Sequence, residues 1–167
     1  MKKELIIIAL AFISSFGLSA QNPLPNGGKQ LNVGVGLSGW GIPIYAGLDF
    51  GVHEDISVGV QASLSSYNES WDSKDYHRSI FGLIGNGNYH FNRILEIPSD
   101  WDFYAGLNIG FYFWSKPDDY KGSNSSEAGL GAQVGGRYYL NEKLGLNLEF
   151  TAGNAISGGK FGISYLF

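Results

Sequence analysis

The sequence predicts an all-β protein, an eight-stranded, up-and-down antiparallel barrel that crosses a membrane. Three observations carry this prediction. Apolar residues recur at every second position through eight segments of about ten residues, the length a strand needs to cross a bilayer at a tilt near 45°. The opposite parity carries mostly Gly, Ser, Asn and Gln rather than Lys and Glu, which suits a narrow lumen and not bulk water. Short polar turns alternate with longer hydrophilic links, as they do when one rim of a barrel faces the cell and the other the exterior.

The 167-residue chain opens on a segment that does not share this pattern. Lys2 and Lys3 precede an apolar run from Leu5 to Ile13, and Leu18-Ser19-Ala20 supplies small residues before Gln21. This is the layout of a secretory signal peptide over residues 1–20, with cleavage expected between Ala20 and Gln21. Residues 21–29 then form a polar periplasmic leader, and 30–167 the barrel domain. The absence of cysteine excludes disulfides, thiolate metal sites and a cysteine-linked lipid anchor. Removing 1–20 takes the charged residues from 11 basic and 15 acidic to 9 and 14, a net of −5. No basic cluster remains, which excludes a nucleic-acid partner.

The first strand, "QLNVGVGLSG", sets Leu31, Val33, Val35 and Leu37 against Asn32, Gly34, Gly36 and Ser38. The second, "IYAGLDFGV", sets Ile44, Ala46, Leu48, Phe50 and Val52 against Tyr45, Gly47, Asp49 and Gly51. The third, "ISVGVQASLSSY", sets Ile56, Val58, Val60, Ala62 and Leu64 against Ser57, Gly59, Gln61 and Ser63. The fourth, from Arg78 to Phe91, is less regular, because Ile80 and Ile84 fall on the polar parity. In the fifth, from Asp102 to Trp114, Ala105, Leu107, Ile109, Phe111 and Phe113 oppose Gly106, Asn108 and Gly110. The sixth, "EAGLGAQVGGRYYL", the seventh, "LGLNLEFTAG", and the eighth, "GGKFGISYLF", alternate in the same way.

Between them, "HED" at 53–55 and "NEK" at 141–143 read as tight turns, and "NESWDSKDYH" at 68–77 and "KPDDYKGSNSS" at 116–126 as long hydrophilic loops. The link "NRILEIPSDW" at 92–101 is long for a periplasmic turn, and the outer link around Trp40 is short. A soluble lipocalin-like barrel also alternates, so the solvent of each face is decided by its chemistry. A face of Gly, Ser, Asn and Gln fills an eight-stranded lumen, so the Leu, Val, Ile and Phe face points outward, where only lipid accepts it. Lipid in turn requires a closed sheet, since an open edge would leave backbone groups unpaired. Phe50, Tyr89, Phe91, Phe103, Tyr138, Tyr165 and Phe167 group toward one rim, and Trp40, Tyr67, Phe111, Phe113 and Phe161 toward the other, as interfacial girdles do. Tyr112, Trp114 and Tyr139 have inward parity.

On "YAGLDFGV", "YAGLNIGFYF", "GGRYYLNEKLGLNLEF" and "KFGISYLF" the chain resembles the small outer-membrane β-barrels of the OmpX and OmpA-barrel type, a porin-like group. The resemblance covers the whole segment after residue 20. It implies residence in the outer membrane of a Gram-negative-type cell, contact with outer-membrane lipid and lipopolysaccharide, and a monomer. It also implies that Phe161, Ile163, Tyr165 and Phe167, an alternating strand with an aromatic end, serve as the signal read by the barrel-assembly machinery. No peptidoglycan-binding domain is expected after the barrel.

The charged residues Asp49, Arg137, Glu149 and Lys160 share the inward parity on strands two, six, seven and eight. They are expected to form an ion network filling the lumen, since unpaired charges there would be costly. A polar path for small solutes is the sharper alternative. His77 and Ser79 raise a second alternative, because lipid A deacylases of this barrel size use a His-x-Ser pair with a carboxylate; here Ile80 stands where that pattern has asparagine. The acids Glu69, Asp72, Asp75, Asp118 and Asp119 lie in the long links, where spacing alone is weak evidence for Ca²⁺. His53 and His90 show no ligand partner and are read as structural. The expected role is non-enzymatic, structural or in surface interaction (envelope maintenance or adhesion), without cofactor or metal. The alternatives are a narrow porin-like channel and a lipid A-modifying hydrolase.

Overall fold

The computed structural model describes residues 22–39, 41–71, 74–115, 126–155 and 157–167, with the backbone alone for 67–71 and 74–78. The expected cleavage site at Ala20 and Gln21 lies outside these residues. Eight strands follow one another: β1 (Lys29–Ser38), β2 (Ile44–His53), β3 (Ile56–Trp71), β4 (Lys74–His90), β5 (Trp101–Trp114), β6 (Glu127–Tyr139), β7 (Leu144–Gly153) and β8 (Gly158–Leu166). Each pairs antiparallel with the next, and β1 pairs with β8 from Gln30↔Leu166 to Ser38↔Gly158, closing the barrel. Closure removes both sheet edges, the condition for a sheet to sit in lipid.

The two faces divide as parity requires. Leu37, Leu107 and Leu130 are 68%, 71% and 67% exposed on the outer face, and Val35, Val60, Phe113, Val134 and Phe150 are also exposed there. Buried side chains among the described residues are mostly polar: Gln30, Asp49, Ser57, Gln61, Asn88, His90, Asp102, Asn108, Arg137, Asn147 and Ser164. A protein with its apolar surface outside and its amides inside is stable only in hydrocarbon. Tyr112 and Tyr139 are buried inside, in keeping with their parity. Ile80 is buried too, in a ladder that runs without a break from Ile56↔Tyr89 through Ser65↔Ile80 to Trp71↔Lys74. The irregular parity of β4 is therefore an apolar patch on the lumen wall and not a bulge.

Aromatic rings pack at both rims. Tyr89–Phe91, Trp101–Phe103, Trp101–Tyr138 and Tyr165–Phe167 have centroids 5.3, 5.6, 4.7 and 5.4 Å apart on the short-turn side, and Phe81–Phe113 lie 6.2 Å apart toward the other. Trp40 and the side chain of Tyr67 lie outside the described residues. Phe161, Ile163 and Tyr165 face outward on β8, between Val35, Val33 and Leu31 of β1 and Leu148, Leu146 and Leu144 of β7, and Phe167 follows the strand.

One link differs from its sequence reading. Residues 68–77 are not a loose loop: β3 and β4 stay paired through Asn68↔His77 to Trp71↔Lys74. Beyond the bilayer both faces of a hairpin meet water, so a ladder can continue there without an apolar parity to announce it. The long link at 92–101 is a compact turn, in which Leu95 N–H donates to Phe91 O at 3.0 Å and Ile97 N–H to Asn92 O at 2.9 Å.

Arg93 in that link clamps the β2–β3 turn. Its Nε donates to both oxygens of Asp55 at 3.1 Å, its Nη2 also pairs with Asp55, and its Nη1 lies 3.3 Å from Glu54. The hydrogen bonds from Arg93 hold the Asp55 carboxyl below the usual carboxylate range. A depressed carboxylate stabilises the fold at neutral pH, and that contribution is lost as pH falls through the folded-state value. The Asp55 side-chain carboxyl carbon, followed by NMR, is expected to titrate below the usual carboxylate range and to return to that range in Arg93→Gln.

Candidate functional site

The lumen is filled by side chains in layers, each built from inward positions that strand register brings to one height. The lowest layer centres on Arg137 of β6. Its guanidinium donates to Asp102 Oδ2 of β5 at 2.7 Å and to Asp49 Oδ2 of β2 at 2.8 Å, and stacks 4.3 Å from the centroid of the Tyr104 ring. Asn32 Nδ2 donates to Asp49 at 2.9 Å. The Gln30 amide, oriented so that its oxygen accepts from Arg137 Nε at 2.9 Å, pairs with the Tyr139 hydroxyl. The ring of Tyr104 lies over Gly135, its cross-strand partner, where any Cβ would overlap the phenol. Here glycine makes room for the aromatic ring that fills the lumen.

The next layer joins the other two charges. Lys160 Nζ of β8 lies 2.6 Å from Glu149 Oε1 of β7 and donates to Gln61 Oε1 at 2.8 Å. The Tyr104 hydroxyl donates to Glu149 Oε2 at 2.9 Å, linking the layers. Tyr45, Asn147, Ser164 and Asn32 continue in a chain of bonds of 2.7, 3.0 and 2.7 Å. Above them Asn108 donates to Gln133 at 2.9 Å and Gln133 to Asn88 at 2.7 Å. The outer mouth is a small recess lined by Leu37, Pro43, Tyr112 and Thr151, reaching down to Gln61 and Lys160.

The four charged residues expected to meet do so, in two groups, Asp49–Arg137 and Glu149–Lys160, joined through Tyr104. Asp102, the second carboxylate on Arg137, was not among them although it shares their inward parity, and neither was a chain that ends on it. Ser57 Oγ lies 2.9 Å from His90 Nε2, and His90 Nδ1 lies 2.7 Å from Asp102 Oδ1; all three residues are fully buried. Asp102 accepts from Arg137 at Oδ2 and from His90 Nδ1–H at Oδ1; in the neutral ring this leaves Nε2 to accept from Ser57, and in the doubly protonated ring Nε2–H donates to Ser57. His90 is thus not a solitary histidine. The three residues sit at adjoining ends of β3, β4 and β5 with inward parity, and the signal that would have found them is the stagger between those strands. His53 Nδ1 accepts from the backbone N–H of Asp55 at 3.4 Å.

Of the candidates in and beside the long links, Ser79 has a described side chain. Ser79 Oγ lies 3.3 Å from Ser66 Oγ, and its backbone N–H donates to Ser115. The side chain of His77 lies outside the described residues, as do those of Glu69, Asp72, Asp75, Asp118 and Asp119.

The leader is part of the barrel. Asn22 Nδ2 donates to Glu54 O at 3.2 Å, Gly27 N–H donates to Gly51 O at 2.8 Å, and Gly51 N–H donates to Gly28 O at 3.0 Å. Leu24 is fully buried, and the backbone of Leu24 and Pro25 occupies the space a side chain at Gly51 would need.

No protein-family model and no curated protein matches the chain. Solved structures share its fold. The outer membrane protein OprG of Pseudomonas aeruginosa superposes with a TM-score of 0.66 at 11% identity, over 89% of this chain and 98% of that one. The N-terminal β-barrel domain of OprF from the same organism gives 0.60 at 11% identity, over 85% and 98%. Ail, the attachment invasion locus protein of Yersinia pestis, gives 0.54 at 12% identity, over 85% and 99%. The chain has the fold of the small eight-stranded outer-membrane β-barrels.

Proposed function

We propose that the protein resides in the outer membrane and acts there without catalysis, as a structural or surface-interaction component serving envelope maintenance or adhesion. The observation that carries this reading is a lumen occupied by its own hydrogen-bonded side chains, beneath a β3–β4 hairpin that stays paired out to Trp71↔Lys74. Such a barrel is a rigid post, and its exposed links are where recognition resides. The likeness to Ail, named for attachment and invasion, supports adhesion over transport. Its outer face would meet lipid and lipopolysaccharide as a monomer, and Phe161, Ile163, Tyr165 and Phe167 would be the strand read by the assembly machinery. The narrow-channel reading rests on the recess above Lys160 and Glu149; it is the weaker, because Arg137, Tyr104 and Tyr139 fill the lumen below. The lipid A hydrolase reading rests on His77 and Ser79; Ser79 Oγ lies 3.3 Å from Ser66 Oγ, and the side chain of His77 lies outside the described residues.

Replacing 68–77 and 116–126 by Gly-Ser segments of equal length tests the reading. The expected outcome is a folded barrel, seen as a heat-modifiable gel band, that no longer binds host cells or neighbouring bacteria. Unchanged binding would remove the interaction role.

A further inference from the structure

The role proposed above leaves unused the relay from Ser57 through His90 to Asp102. We propose that Ser57 is a masked nucleophile, a site for acylation by carboxylic esters that is covered by the leader residues 22–28. The geometry is that of an activated serine: a hydroxyl 2.9 Å from an imidazole nitrogen whose other nitrogen is held at 2.7 Å by a carboxylate, itself fixed by Arg137 at 2.7 Å. A base and an orienting anion in this order raise the nucleophilicity of a serine. For a lumen that only needed filling, amides would do, as they do in the layer of Asn88, Asn108 and Gln133.

The cover has a defined shape. Directly across from Ser57 on β2 stands Gly51, which has no side chain, and the backbone of Leu24 and Pro25 takes up that space. The leader is held there by the burial of Leu24 and by hydrogen bonds to Glu54 and Gly51. Its withdrawal vacates the space over Gly51, directly across the strand pair from Ser57 at the short-turn end of the barrel. In the step that follows, Ser57 Oγ bonds to the ester carbonyl carbon and its proton passes to His90 Nε2. The carbon–alkoxy bond then breaks, and the alkoxide leaves with the proton from His90. The products are an acylated Ser57 and an alcohol, with no further reactant consumed.

The test uses the full chain folded in detergent micelles and a fluorophosphonate probe, which phosphonylates activated serines and releases fluoride. Leu24→Gly should free the leader, seen as rapid deuterium exchange at Gly27 and Gly51, and label at Ser57 about tenfold faster than the parent chain, in proportion to the open population. Adding Ser57→Ala should abolish labelling, and adding His90→Asn should slow it by about a hundredfold, the scale of general-base assistance, with the heat-modifiable band retained. If Leu24→Gly leaves those amides protected, Leu24→Glu is used instead, since an unpaired carboxylate is costly at a fully buried position. Freely exchanging Gly27 and Gly51 amides with Ser57 unlabelled would overturn the proposal, and so would labelling insensitive to His90→Asn.

Discussion

Arg137→Met is expected to cost about 3–5 kcal/mol of folding stability, the scale of removing one partner from a buried ion pair. Arg137 is 3% exposed and is the cation facing both Asp49 and Asp102. Methionine matches much of its volume but leaves two carboxylates together in a closed lumen. Urea titration of the barrel refolded into lipid vesicles, followed by tryptophan fluorescence and gel mobility, measures the loss. Adding Asp49→Asn and Asp102→Asn should recover most of it, because the cost comes from stranded charge and not from missing attraction. Lys160→Ala should cost less, since Lys160 is 21% exposed at the base of the outer recess, where water screens it, and the buried Glu149 keeps the Tyr104 hydroxyl as a donor. Equal losses at Arg137 and Lys160 would contradict the layered lumen.

The strands were legible because period-two alternation is a local property. β2 and β5 to β8 end within a residue or so of where parity ends them. What parity cannot carry is stagger, the height at which an inward residue of one strand meets those of its neighbours. Asp49, Arg137, Glu149 and Lys160 stood out by charge, but their sorting into two groups depends on registers such as Glu149↔Lys160 and Asp102↔Arg137. The relay was hidden for the same reason. Its members look ordinary one at a time, and only the pairings Ser57↔Asn88 and His90↔Tyr104 bring them together. In the leader, "NPLPNGG" reads as polar filler around a single leucine, and that leucine is fully buried. Gly51 held the clue, a residue on the lumen parity with no side chain of its own. In β4, Ile80 and Ile84 read as broken parity because an apolar residue was assigned to lipid by default.

The outward apolar face is the claim on which membrane residence depends, and Leu107 lies at the middle of β5, 71% exposed. Arginine at the midplane of a lipid-facing strand costs about 2–4 kcal/mol and near an interface about 0–1 kcal/mol. The decisive measurement is the folding free energy, by urea titration in lipid vesicles, of Leu107→Arg beside Leu140→Arg at the short-turn rim. A loss of about 2–4 kcal/mol at Leu107 against at most about 1 kcal/mol at Leu140 is the expected result. Equal, small losses at both positions, in a chain that also folds in buffer without lipid or detergent, would show that this face meets water.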